Sequence, residues 1–165
     1  MTIKLWIIYK NDIGFPRMIA EMLQDRLEDY IDVDVGTAKK LDPTFILEEK
    51  IDYLIIGDVI CKDIPSIEIK DWLLKYWEIS ENKKKKNLKA VSGFYIAQAN
   101  IKIEPFWVEF LNDNIRADLI YPPILRLKLN ENGLELENRA VDLIKEFSND
   151  FIEFLINNKK KKIRK

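Results

Sequence analysis

Residues 4–27 constrain this chain most, because they combine a short apolar run, a glycine-containing turn and an amphipathic helix. The apolar run, residues 5–9, is rich in strand-favouring side chains and too short to cross a membrane. Gly14 lies in the turn, and Pro16 follows where the first turn of a helix tolerates a residue without an amide hydrogen. Strand, turn and helix in this order form the first half of a βαβ unit. The N-terminus of such a helix directs free amides toward the end of the strand.

The same alternation of apolar runs and amphipathic segments continues along the chain. Strands are predicted at residues 5–9, 31–35, 51–57, 88–96 and 117–121. Helices are predicted from residue 16 to 27, around 44–50, around 69–76, at 105–111 and at 136–157. A loop over residues 58–65 leads into the helix around 69–76, which carries Ile69, Trp72, Leu73 and Tyr76 on one apolar face. Trp107 lies on a helical face as well and is most simply a core or interface residue. Residues 124–129 alternate apolar and basic side chains, so they either extend the last strand or form an extra edge segment. The alternation predicts a three-layer α/β/α sandwich with a five-stranded parallel sheet in the order 2-1-3-4-5.

The composition excludes several kinds of site. The chain has no histidine, which removes histidine-based catalytic triads and the usual zinc sites. Its one cysteine, Cys61, excludes an internal disulfide and paired-thiol redox motifs. With 47% hydrophobic and 33% charged residues, the chain has the balance of an ordinary globular domain rather than of a disordered one.

Charge is unevenly distributed along the chain. Residues 159–165 hold six of the 27 basic groups and no acidic group, which leaves 21 basic and 28 acidic groups in the rest. We therefore expect a single acidic domain over residues 1–158 and a basic, disordered tail over 159–165. An acidic body disfavours nucleic acid as a partner of the folded domain. The pattern shows neither a signal peptide nor a transmembrane segment, so we expect a cytoplasmic protein.

The carboxyl ends of strands 1, 3 and 4 are the expected ligand site. Open parallel sheets bind ligands outside these ends, beside the point where the strand order reverses. In this sequence the ends correspond to residues 10–17, 57–62 and 95–100.

At these ends the chain resembles the flavodoxin superfamily. IIYKNDIGFPRMIAEML is similar to the opening strand, turn and helix of that superfamily, and YLIIGDVICKDIPSIEIKDWLLKYW is similar to its third strand and flavin-flanking loop. Within the superfamily, IIGDVICKDIPSIEIKDWLLKYW and SGFYIAQANIKIEP resemble the flavodoxin-domain group that includes menaquinone-dependent protoporphyrinogen oxidase. The resemblance implies a flavodoxin-like fold that binds FMN.

The resemblance also implies which residues contact the cofactor. They are Asn11, Asp12, Ile13, Gly14, Phe15 and Arg17 after the first strand, Asp58, Val59, Ile60 and Cys61 after the third, and Tyr95, Ala97 and Gln98 after the fourth. In this arrangement Arg17 neutralises the phosphate, Tyr95 stacks on the flavin ring, and Val59, Ile60 and Cys61 line its other side.

Each role has a plainer alternative. Tyr95 and Phe94 can simply alternate between core and surface, and Cys61 can be a small packing residue. Asp58 can be a general base or a metal ligand, but a lone carboxylate after a strand more often caps the strand end.

The predicted phosphate loop departs from the family pattern. Residues 11–16 contain no hydroxyl side chain, Pro16 lacks an amide hydrogen, and Asp12 brings negative charge to the place of a phosphate. Two functions therefore stay open. One is an FMN-dependent redox protein, either an electron carrier with a protein redox partner or a flavin-dependent oxidoreductase. The other is a flavin-free binding or interaction module with a degenerate phosphate loop.

Overall fold

The computed structural model describes residues 3–11, 14–60, 64–83, 88–97, 105–115 and 117–163 of the 165-residue chain. Strands and helices alternate along it as the sequence predicts. The strands are β1 (Lys4–Tyr9), β2 (Asp32–Thr37), β3 (Tyr53–Ile60), β4 (Ala90–Ala97) and β5 (Leu125–Lys128). The helices are α1 (Phe15–Leu27), α2 (Pro43–Glu48), α3 (Ile67–Lys83), α4 (Pro105–Asn114) and α5 (Ala140–Ile163).

The five strands form one parallel sheet in the order β2-β1-β3-β4-β5, which confirms the predicted fold class. Strands β1, β3 and β4 form its centre, and they are almost entirely buried. Continuous apolar runs of this kind are typical of parallel strands covered on both faces. The strand order reverses between β1 and β3, so the switch point lies where it was expected.

Each face of the sheet has its own hydrophobic core. Leu5, Ile7 and the rest of one set of alternating strand residues pack with apolar residues of α1 and α5. The other set, which includes Ile8 and Ile56, packs with α2, α3 and α4. Burying a large apolar side chain stabilises the fold by about 1.5–3 kcal/mol, so the two cores supply the main driving force for folding. All four residues predicted for the apolar stripe of α3 are buried: Ile69, Trp72, Leu73 and Tyr76.

Two central strands run further than predicted. β3 continues to Ile60 and β4 to Ala97, and the two pair residue for residue up to that point. The predicted loop after Gly57 was therefore wrong for Asp58, Val59 and Ile60, which lie in the strand. The backbone hydrogen bonds of the shared ladder explain the extension, since each added pair satisfies groups that would otherwise need other partners.

The last strand also differs from the prediction. Residues 117–121 make only isolated bridges, Ala117 to Leu88 and Ile120 to Val91, and the regular strand β5 comes after the two prolines. Proline cannot donate to a strand ladder, and the Tyr121–Pro122 peptide is cis. Residues 117–121 and β5 thus follow one another along β4. The chain then turns back, and the Glu137 amide donates to the Lys128 carbonyl at the end of β5.

The closing helix has other bounds than expected. α5 begins at Ala140 rather than at residue 136, because Leu136 forms an antiparallel bridge with Leu129. It ends at Ile163 rather than at 157, so most of the predicted disordered tail is helical. Lysine is a good helix former, and the helix can continue from Leu155, which is buried. No helix within the described residues is long and apolar enough to span a membrane.

Gly57 should be intolerant of a side chain. A Cβ at this position would lie 2.1 Å from Cζ of Phe94, which is itself fully buried. We expect Gly57→Ala to reduce the free energy of unfolding by about 1–3 kcal/mol, as overpacked cores do. Urea unfolding checks this. The same substitution in a Phe94→Leu background should cost less, because the shorter side chain leaves room; an equal cost in both backgrounds would contradict the steric explanation.

Candidate functional site

The carboxyl edge of the sheet has a step at the switch point. Tyr9, the last residue of β1, pairs with Gly57, whereas β3 continues beside β4 to Ile60. β3 therefore extends past β1 on the side from which the chain enters α1. This step and the N-terminus of α1 define the candidate site.

Gly14 forms the N-terminal boundary of α1. Its φ of 79° lies in the region that favours glycine, and a Cβ placed there would meet no described atom within 4 Å. The space beside this helix end is thus open among the described residues. The first turn of α1 carries no acidic side chain, and Pro16 occupies an early position of the helix. The helix dipole therefore favours an anion here, with one amide fewer than a helix N-terminus usually offers.

Arg17, the predicted partner of a phosphate, points along the helix surface. Its Nε donates to Oε1 of Glu21 at 3.0 Å, and both side chains are more than half exposed. Exposed pairs of this kind contribute at most about 1 kcal/mol, so an anion at the helix end can compete for the guanidinium. Asn11 is half-buried and lies between the end of β1 and the start of α1. Asp12 and Ile13 lie outside the described residues.

Phe15 and Val59 lie at the carboxyl edge on the same face of the sheet, the one that α1 and α5 cover. Both are half-buried, and both pack against the core that α1 and α5 form with the sheet. They are apolar and partly accessible, so they can line a flat ligand at the step between β1 and β3.

Asp58 is fully buried on the opposite face, toward α3 and α4. Its Oδ1 accepts from the Val59 amide at 2.8 Å, and its Oδ2 accepts from the Ser66 amide and from Nε1 of Trp107, both at 2.9 Å. Burial raises the pKa of this carboxyl, and the hydrogen bonds from Ser66, Trp107 and Val59 oppose that rise. Both oxygens are thus occupied by protein donors, which leaves Asp58 a structural rather than a ligand-facing group.

Three other predicted contact residues lie in the same core as Asp58. Ile60, Tyr95 and Ala97 are at most 1% exposed, and all three pack toward α3 and α4. Tyr95 was predicted at the end of the fourth strand with its ring stacked on the flavin, but it lies inside β4 and its ring is buried. Its ring meets that of Trp107 edge to face at 5.3 Å, and its hydroxyl accepts from Nε of Arg126 at 2.8 Å. Stacking on a flavin would require the ring to leave these contacts, so the alternation of Phe94 and Tyr95 between the two cores explains this residue better.

The remaining predicted residues, Cys61 and Gln98, lie outside the described part of the chain. Within the described ranges, no group of three or more acidic or cysteine side chains is arranged to hold a metal ion. A metal-ligand role for Asp58 therefore has no support from its neighbours.

Sequence reasoning missed the partners of Asp58. Trp107 was predicted as a core or interface residue on a helix, and it is 1% exposed. Its indole N–H also donates a hydrogen bond to the Asp58 carboxylate, which was not predicted. A buried carboxylate at a strand end needs N–H donors, and tryptophan is the one large aromatic residue that carries such a donor. That chemistry was visible in the sequence; the pairing across 49 residues was not.

Comparison with known proteins gives a consistent answer about the fold. No protein-family model matches the sequence, and no curated protein matches it. Among solved structures, a flavodoxin from the domain Archaea aligns with a TM-score of 0.67 and 12% identity over 93% of this chain and 99% of its own. Flavodoxin 1 from Bacillus cereus aligns with a TM-score of 0.66 and 16% identity over 91% and 97%. The chain has a flavodoxin-like fold.

A larger protein contains the same fold. Rubredoxin oxygen:oxidoreductase from Desulfovibrio gigas aligns with a TM-score of 0.71 and 14% identity over 93% of this chain. The chain spans only 36% of that protein's length. At sequence identities this low, the structural alignments establish the fold alone, because one fold can carry different ligands. The likeness to the menaquinone-dependent protoporphyrinogen oxidase group stays a prediction.

Proposed function

We propose that this protein binds FMN at the carboxyl edge of its sheet and acts as a flavin-dependent redox protein. The observation that carries the proposal is the helix N-terminus at Gly14, where a Cβ would meet no described atom within 4 Å, beside the step between β1 and β3 in a flavodoxin-like fold. Flavodoxins are among the proteins whose whole length this fold matches.

The phosphate group of FMN fits the N-terminus of α1. There the helix dipole, the free amides of the first turn and the Arg17 guanidinium all favour negative charge. Asn11 can donate from its side-chain amide, and Gly14 leaves room for close approach. The absence of hydroxyl side chains makes this site depend more on charge than a hydroxyl-rich loop would.

The flavin ring fits the step between β1 and β3. Phe15 and Val59 offer partly accessible apolar surface there, and the Asp58 carboxylate points away from it. Contacts from Ile13, Cys61 and Gln98 remain part of the proposal on the strength of the sequence resemblance alone. Bound FMN would supply hydride or electron transfer, while these residues would bind and orient it and exclude water from one side. Both electron transfer to a protein partner and oxidation of a small substrate are compatible with this site.

A flavin-free binding module is the second candidate. The loop over residues 11–16 has no hydroxyl and carries Asp12, and the Arg17 side chain is engaged by Glu21. These features favour a fold that kept its cleft for a protein partner or for a ligand without a phosphate.

Flavin titration of the purified protein separates the two candidates. The protein is titrated with FMN and with riboflavin, and binding is followed by quenching of flavin fluorescence and by the absorbance spectrum. Saturable quenching by FMN supports the redox proposal. A protein that quenches neither flavin would contradict it and favour the flavin-free module.

Arg17→Glu should weaken FMN binding selectively. The substitution replaces a cation near the phosphate with an anion, so we expect the affinity for FMN to fall by about tenfold or more, as for loss of a charged hydrogen bond. Riboflavin, which lacks the phosphate, should be affected much less. Arg26→Glu is the matched control, because Arg26 lies in the last turn of the same helix. Equal losses for both flavins would exclude a phosphate contact by Arg17.

Tyr95→Leu tests the stacking role directly. The ring is buried between β4 and α4, so its loss should lower stability through the contacts with Trp107 and Arg126. It should leave the fluorescence of fully bound FMN unchanged. Brighter bound FMN in this variant would mean that Tyr95 does stack on the flavin.

A further inference from the structure

We propose that Asp58 is a positioning residue that fastens the start of α3 to the start of α4, and thereby fixes the geometry of the flavin edge. The linkage between the two helix starts stands on geometry alone. Its effect on flavin binding rests on the proposed function.

The linkage passes through a single oxygen atom. Oδ2 of Asp58 accepts from the amide of Ser66, the residue before α3, and from the indole of Trp107 in the first turn of α4. The Ser66 carbonyl in turn accepts from the Lys70 amide at 2.8 Å, so Ser66 is hydrogen-bonded to the first turn of α3. Two helices that follow different strands are thus bound to one carboxylate.

Trp107 is held on its other sides as well. A Cβ at Gly93 would lie 2.7 Å from the indole Cη2, so the ring packs directly over this glycine of β4. Its edge-to-face contact with Tyr95 continues to Arg126 of β5 through the Tyr95 hydroxyl. The indole therefore has no room to shift while its N–H keeps the bond to Asp58, and the start of α4 is fixed relative to β4.

Only a carboxylate satisfies this arrangement. Three N–H donors converge on Asp58, two on one oxygen and one on the other. An asparagine offers one acceptor oxygen, so its NH2 group would face at least one of these donors in either orientation. Leaving a buried donor unpaired costs more than the net contribution of its hydrogen bond to stability, which makes the isosteric amide a severe change here.

The position of Asp58 connects this linkage to the flavin edge. It precedes Val59, whose side chain lies on the opposite face at the proposed ring site. Residues 64–66 and 105–107, which border the same edge, keep their spacing through the Asp58 oxygen. Loss of the carboxylate should therefore affect the flavin ring, which is common to FMN and riboflavin, rather than the phosphate.

Hydrogen exchange of the flavin-free protein tests the linkage. Asp58→Asn should speed exchange in peptides covering residues 64–70 and 105–110 together. Trp107→Phe, which keeps an aromatic ring but removes the N–H, should speed exchange in residues 64–70 although the change is in α4. The double variant should exchange no faster than the faster single variant. Effects of Trp107→Phe confined to residues 105–110, or additive in the double variant, would overturn the linkage.

Flavin affinity tests the consequence. Asp58→Asn should weaken FMN and riboflavin by the same factor, about tenfold, since a charged hydrogen-bond acceptor is lost. Asp52→Asn is the matched control: Asp52 accepts from the Lys4 amide and pairs with Lys89 at the other end of the sheet. It should lower stability without changing flavin affinity. Unchanged affinity in Asp58→Asn, or selective loss of FMN, would overturn the positioning role. If the wild type binds neither flavin, the proposed function and the flavin-positioning role fail together, while hydrogen exchange still decides the linkage.

Discussion

Helices cover both faces of the central strands, and this double coverage determines where polar chemistry can occur in the molecule. Strands β1, β3 and β4 must present apolar side chains on both sides, because any polar group there would lose its water without gaining a partner. Polar side chains that could meet a ligand are thus confined to the margins of the sheet, among them the carboxyl edge, where the strands end and the helices begin. Two buried polar side chains in these strands have partners: three N–H donors replace the water around Asp58, and the Ser92 hydroxyl donates to the Pro122 carbonyl.

The sequence was sufficient for the architecture because its periodicities are strong. Apolar runs alternate with amphipathic segments, which predicted the parallel sheet and its order, and the stripe of α3 fell on the residues that are buried. The ends of the strands were harder to predict. Asp58 looked like the start of a loop, since a charged residue is rare inside a buried strand, but pairing with β4 extends the ladder past it. Such pairing depends on a neighbour 37 positions away in the register, Tyr95, and no local pattern reveals it.

The structure places several of the predicted site residues elsewhere than the sequence indicated. The turn before α1 was found from glycine and proline alone, whose backbone requirements are local. Which face a strand residue occupies is not local, because it depends on where the strand enters the sheet. Tyr95 and Ile60 therefore appeared as ligand contacts although they belong to the α3/α4 core, whereas Val59, the neighbour of Ile60 on the opposite face, is partly accessible. The two sides of the proposed site therefore differ in how well the sequence predicts them. The phosphate side depends on local backbone conformation, whereas the ring side depends on how the strands pack.

The interruption of the last strand affects how the molecule meets its neighbours in solution. A long, regular edge strand offers unpaired backbone groups to any other exposed strand and so promotes aggregation. Here the edge beside β4 is divided by two prolines into short segments, and the returning chain at Glu137 occupies the end of β5. Arg126 and Lys128 are exposed along the same segment. The segments along this edge are short, they carry charged side chains, and the end of β5 is covered. This edge is therefore a poor template for β-sheet pairing with other molecules of the protein, although it is exposed.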